Sequence, residues 1–177
     1  GFVASANNRT VPAGYPYHIG SWYSLPHRFE RITELLASKP VLSVADFKTI
    51  QLDQHSKLAE KYMPFILKAL HGLSNMTETE KSAYSILKEW DYSMQAGSSA
   101  AAIFETLYRE FIRCAFSDEL GEALFASYTG VASISRNATD QIIDLQDSPW
   151  FDNVSTGDRV ENMDINMTCA FSRAVAD

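Results

Sequence analysis

The sequence predicts an α+β fold dominated by helices, in which a short opening strand and loop lead into a helical region, all within a single unit spanning residues 1–177. Three observations carry this. Phe2 and Val3 are followed by small residues and then by the polar turn Asn7-Asn8-Arg9-Thr10, a strand signal closed by turn formers. Apolar residues recur at helical spacing from Phe29 onward. Ser43 with Asp46, and Thr77 with Glu80, repeat the hydroxyl-x-x-carboxylate pattern that opens helices. The 177 residues, 46% of them apolar, suffice for one domain with a substantial core, and neither an internal repeat nor a low-complexity linker divides them.

Taken in order, Gly1 to Ala6 form the strand, which needs a sheet partner from further chain. Pro12, Gly14, Pro16, Gly20 and Pro26 then punctuate an ordered loop that Tyr15, Tyr17, Trp22 and Tyr23 are expected to anchor to the core. A helix begins near His27 and ends before Lys39-Pro40, with Phe29, Ile32, Leu35 and Leu36 on one side. From Ser43 a long helix runs through Phe47, Ile50, Leu58, Tyr62, Phe65, Ile66 and Leu70, bent or split where Pro64 cannot donate its backbone bond. Thr77 starts a helix burying Tyr84, Leu87 and Trp90, and a third long helix follows Gly97 through Ile103, Leu107 and Phe111. Leu120, Leu124 and Phe125 favour a further helix, Pro149-Trp150-Phe151-Asp152 an anchored loop, and Ile165 to Ala174 a closing helix.

The charge pattern narrows the function classes. With 22 acidic and 15 basic residues the net charge is −7, and no basic block or arginine-rich arm is present, which argues against a nucleic-acid partner. No apolar run approaches the roughly 20 residues of a membrane-spanning helix. There is no phosphate-cradling glycine motif and no dinucleotide fingerprint, hence no organic cofactor. His18, His27, His55 and His71 lack zinc spacing, and Asp144, Asp147, Asp152, Asp158 and Asp164 lack that of a calcium loop; they read as packing residues and a solvated acidic face. Asp53 and His55 stand two residues apart, off a shared helical face, so Asp53 reads as a hydrogen-bonded link between helices. Cys114 and Cys169 leave two readings open, a distant disulfide or two buried free thiols. Asn8, Asn75, Asn137, Asn153 and Asn166 open Asn-x-Ser/Thr triplets, which matter only in a glycosylating pathway.

Two features have chemical potential. An asparagine amide at Asn7 or Asn8 can stabilise a developing oxyanion, and Arg28 can fix a carboxylate through paired donors; the plainer roles are a turn and an ion pair.

Gly1-Phe2-Val3-Ala4-Ser5-Ala6-Asn7-Asn8-Arg9 resembles the asparagine-containing strand and turn of the penicillin acylase family. The likeness continues through Tyr15-Pro16-Tyr17, Trp22, Pro26-His27-Arg28-Phe29-Glu30-Arg31-Ile32, Leu35-Leu36, Gln51-Leu52-Asp53, Leu87, Trp90-Asp91 and Trp150-Phe151-Asp152, and is strongest over roughly residues 1–100. The resemblance implies an αββα N-terminal-nucleophile hydrolase matured from a zymogen, in which an N-terminal serine, assisted by its own amine, attacks an amide and forms an acyl-enzyme. It places Asn7 in the oxyanion hole and makes Arg28 the organiser of the nucleophile region. It implies a small acylated-amine substrate, ranging over acyl-homoserine lactones and β-lactam amides, where the latter would bear on antibiotic resistance. A periplasmic or extracellular location follows from it, as does calcium in the complete enzyme, without ligands assignable here.

Against the family pattern, the first residue is Gly1, not serine, cysteine or threonine, and Ser5, Ser21 and Ser24 are internal. The chain is therefore expected to be an internal β-subunit piece, inactive alone, whose partner is the acylase segment carrying the nucleophile. The alternative is a non-catalytic helical interaction or structural domain related to acylases.

Overall fold

The computed structural model describes residues 1–176. Helices α1 (His27–Ala37), α2 (Val44–Gln51), α3 (Lys57–Leu70), α4 (Glu78–Lys88), α5 (Ser99–Gly130), α6 (Ala132–Leu145) and α7 (Met163–Ala176) account for most of them, with a 3-10 turn at Pro149–Phe151. Helix α5 is the axis. It packs along α7, and α4 and α6 lean on it, while α3 packs on α7 and carries α1.

The core is what helical spacing on α5 demands: Phe104, Leu107, Phe111 and Ala115 recur at three- and four-residue intervals and are buried against Tyr62, Ile66 and Leu70 of α3 and Met167 and Phe171 of α7. Each large side chain so removed from water contributes about 1.5–3 kcal/mol of transfer free energy. Tyr62 and Tyr108 meet edge to face with ring centroids 5.2 Å apart, an arrangement the ring quadrupoles favour. Both hydroxyl-carboxylate starts form complete capping boxes, Ser43 with Asp46 and Thr77 with Glu80.

Several expectations are corrected. Gly1–Ala6 form no strand: a strand is defined by its neighbour's backbone, and the only ladder-type contact among the described residues is one antiparallel bridge between His55 and Ser93. That bridge also explains why the helix expected from Ser43 to Leu70 is two. Gln54 O accepts from Met94 N at 2.9 Å and Ser56 N donates to Tyr92 O at 2.9 Å, so the backbone at 54–56 is committed outside any helix. The Ser56 hydroxyl then accepts from Ala59 N and starts α3 afresh. Pro64, inside α3, does not end it, because buried Tyr62, Met63 and Ile66 hold the helix around it. The further helix expected around Leu120, Leu124 and Phe125, by contrast, is present: the backbone leaves the helical region at Gly121, whose φ of 66° and ψ of 165° suit glycine alone, so α5 is two helical limbs joined at a kink.

Of the four loop aromatics expected as anchors, Tyr23 is half-buried and the other three are not anchored. Tyr17 and Trp22 are 72% and 71% exposed, and Tyr15 is exposed beside Tyr17. Their rings extend from a loop held at its ends by backbone bonds rather than by burial.

Candidate active site

The segment preceding α1 is folded by its own amides. Asn8 is buried; its Oδ1 accepts from Ala6 N at 3.0 Å and its Nδ2 donates to Arg9 O at 2.9 Å, so it is the turn former of the pair. Asn7 is exposed and has φ of 62°, a left-handed conformation that asparagine tolerates better than most non-glycine residues. Such conformations persist where the surroundings over-determine them, and cluster at functional sites.

Three contacts over-determine Asn7. Its carbonyl oxygen accepts from Ser24 N at 2.8 Å. Arg28, in the first turn of α1, sends one nitrogen, Nη2, to both Ala6 O at 2.9 Å and Asn7 Oδ1 at 2.8 Å. Because a guanidinium only donates, it fixes the orientation of the Asn7 amide: Oδ1 turns to Arg28 and Nδ2 is left facing away, without a partner among the described residues. Among the described residues Arg28 therefore binds no carboxylate, and in place of the paired donors read from sequence one nitrogen serves two oxygens.

A further residue enters that the sequence did not single out for this role. Asn137 of α6 donates from Nδ2 to Tyr23 O at 3.1 Å and to Ser133 O at 2.6 Å. The peptide group whose oxygen it holds is the one whose N–H, on Ser24, reaches Asn7 O. Thus α6 steadies Asn7 through a single intervening peptide, by a bond from Asn137 to Tyr23 that spans 114 residues of sequence.

Behind Arg28 lies a cavity of about 530 Å³ between α1, α3 and α6, with Ile32, Leu35 and Leu58 on its apolar side and Arg31, Asp53 and Arg136 on its polar side. Arg31 grips Asp53 through Nε at 2.8 Å and Nη2 at 2.6 Å, joining α1 to the turn before α3. Asp53 is half-buried and links elements as read from sequence, though from a turn and not a helix. Lys57 continues the network to Glu34 at 2.8 Å and Glu60 at 2.9 Å, and His55 meets Glu60 at 3.0 Å. The other end of α1 is tied by Asp140 of α6, which sits 3.4 Å from His27 and 2.9 Å from Lys61.

The Arg31 guanidinium holds the Asp53 carboxyl below its ordinary range, against the opposing pull of partial burial. A depressed folded-state pKa stabilises the fold above the unfolded value of about 3.9 and ceases to do so as pH falls through the folded value. The stability gap between wild type and Asp53→Asn should accordingly be full at neutral pH and close progressively below about pH 4. Urea midpoints across an acid series measure it, and a gap that does not narrow in acid assigns the bond no electrostatic share.

Among the described residues no three His, Cys, Asp or Glu side chains converge as metal ligands. Of the late acids, Asp144, Asp147 and Asp158 are exposed, as expected of a solvated acidic face, while Asp152 and Glu161 serve the fold. Glu161 is buried and is held down to about 2 by the Asn153 backbone N–H and by Arg159, while Asp152 accepts from Glu161 N at 3.0 Å. Among the described residues no helix is long and apolar enough to cross a membrane.

Fold and site together define a helical scaffold that presents one oriented carboxamide donor beside an arginine. The chain belongs to the penicillin amidase family, whose model, described as Penicillin amidase, matches residues 1–177. Relatives include an acyl-homoserine lactone acylase QuiP of Pseudomonas syringae pv. tomato, 28% identical over 170 residues covering 88% of this chain and 20% of that protein. The QuiP acylase of Pseudomonas aeruginosa is 29% identical over 171 residues, with 88% of this chain and 20% of that protein covered. A penicillin acylase 2 proenzyme from a Pseudomonas species is 31% identical over 113 residues, 64% of this chain and 14% of that protein. The chain thus spans about a fifth of the length of the acyl-homoserine lactone acylases it matches.

Proposed function

We propose that this chain is the part of an acylase-type hydrolase that supplies the oxyanion donor, Asn7, and its positioning residue, Arg28. The observation that carries the reading is the oriented amide: Oδ1 is held by Arg28 and Nδ2 points outward from a strained backbone. The N-terminal serine of another segment of the same protein attacks the carbonyl carbon of an acylated amine, and its own α-amine takes the hydroxyl proton. As the carbonyl oxygen gains negative charge, Asn7 Nδ2–H donates to it, an interaction stronger in the tetrahedral state than in the ground state. Collapse expels the amine with a proton, and water then releases the acyl group. The complete enzyme adopts the layered αββα architecture. Its substrate class is N-acylated amines, with acyl-homoserine lactones first in view of the named relatives. The compartment that accompanies this reading is the periplasm or cell exterior.

The complete protein incubated with an acyl-homoserine lactone should release free homoserine lactone and fatty acid, with an acyl group trapped on a serine-initiated companion chain by acid quench. A folded protein that leaves the amide intact over a range of acyl lengths, and has no serine-initiated companion by intact mass, sinks the reading. That result favours a non-catalytic interaction domain, to which the exposed Tyr17 and Trp22 are suited.

Asn137 acts through the Tyr23–Ser24 peptide, so its effect is smaller. Asn137→Ala should lower kcat about fivefold to tenfold, the worth of one hydrogen bond, with KM little changed. A change confined to KM or to thermal stability assigns Asn137 to the scaffold alone.

A further inference from the structure

Cys114 lies midway along α5 and Cys169 midway along α7, 55 residues apart in sequence, and their sulfurs are 3.0 Å apart as free thiols. Their neighbours Ala115 and Ala170 are fully buried, and these small side chains let the two helices approach closely where the sulfurs meet. A disulfide has sulfurs about 2.05 Å apart, so closure asks for roughly 1 Å of movement. Half-buried, the pair opens on a cleft of about 130 Å³ whose lining includes both cysteines and Arg173.

We propose that Cys114 and Cys169 form a thiol–disulfide exchange site, taking a small-molecule disulfide as oxidant and closing into a bond that staples α5 to α7. This is independent of the reading of Asn7. Cys169 is the attacking thiol on grounds of placement: Arg173 follows it by one turn of α7 and lines the same cleft, where its positive charge favours the Cys169 thiolate, while the Cys114 thiol stands ready to donate to that sulfur. The Cys169 thiolate attacks one sulfur of oxidised glutathione, forming a mixed disulfide and expelling one glutathione thiolate. Cys114 then gives up its proton and attacks Cys169 Sγ, expelling the second glutathione. The protein loses two electrons and two protons, and the glutathione disulfide gains them as two thiols.

The test exposes the complete protein to oxidised glutathione, quenches with an alkylating agent and maps peptides by mass. The expected product is a Cys114–Cys169 cross-linked peptide, with Tm raised by roughly 5–15 °C and restored by dithiothreitol. In Cys114→Ser the expected product is a stable glutathione adduct on Cys169. A persistent adduct in the wild type, or both thiols unreacted while denatured protein reacts, overturns the proposal. A bond that forms without raising Tm overturns the stapling.

Discussion

Asn7→Ala in the complete protein should lower kcat by about 10²–10³-fold, with KM nearly unchanged, because the donor lost is the one proposed to serve the oxyanion and not the ground state. The size follows from the roughly 3 kcal/mol assigned to one preorganised donor in a water-poor site. Two further substitutions separate this chemistry from backbone strain. Asn7 has φ of 62°, where alanine is strained and glycine is not. Asn7→Gly should therefore fold at least as well as the alanine variant and be equally slow. Asn7→Asp keeps the shape but replaces the donor by a negative charge facing a developing negative charge, and should be slower still. Single-turnover acylation, with melting curves in parallel, reads all three. Unchanged acylation in the glycine variant removes Asn7 from the reaction.

The parts of this fold that were legible in the sequence are those made of local signals. Leu107 and Phe111 of the stripe and the capping boxes at Ser43 and Thr77 appear where the spacing put them, because each is settled within a helical turn or two, while Phe104 takes the core place expected of the half-buried Ile103. What failed depends on remote partners. The break at 52–56 is imposed by residues 92–94, and the periodicity of Ile50, Leu58 and Tyr62 runs through it without a trace, apart from Ser56 as a second cap. The opening strand failed for the same reason: Phe2 and Val3 have strand character, but a ladder needs a neighbour. At the site, family likeness picked out Asn7 and Arg28, yet it did not disclose that one guanidinium nitrogen holds two oxygens. Asn137 was visible only as the head of a glycosylation triplet, since its partner at Tyr23 is 114 residues away. Cys114 and Cys169 were likewise undecidable until α5 and α7 were seen side by side.

Arg28→Ala should lower kcat by about 10²-fold, by leaving Ala6 O and Asn7 Oδ1 without their charged donor, each such bond being worth about 1.5–3 kcal/mol. The amide of Asn7 is then free to rotate, and Nδ2, the proposed oxyanion donor, loses its fixed direction. Arg28→Lys discriminates between charge and shape. Had Arg28 forked onto a carboxylate, lysine would fail outright. As both bonds leave one nitrogen, an ammonium group with three donors can meet both oxygens, though from a shorter reach, and the expected loss is nearer tenfold. The double variant Asn7→Ala with Arg28→Ala completes the cycle. If Arg28 works by aiming Asn7, removing it from an enzyme that already lacks the Asn7 amide costs little more, and the two effects fall far short of additive. Additive losses would mean that Arg28 acts on the nucleophile or the substrate by itself, and its hold on Asn7 Oδ1 would then be structural.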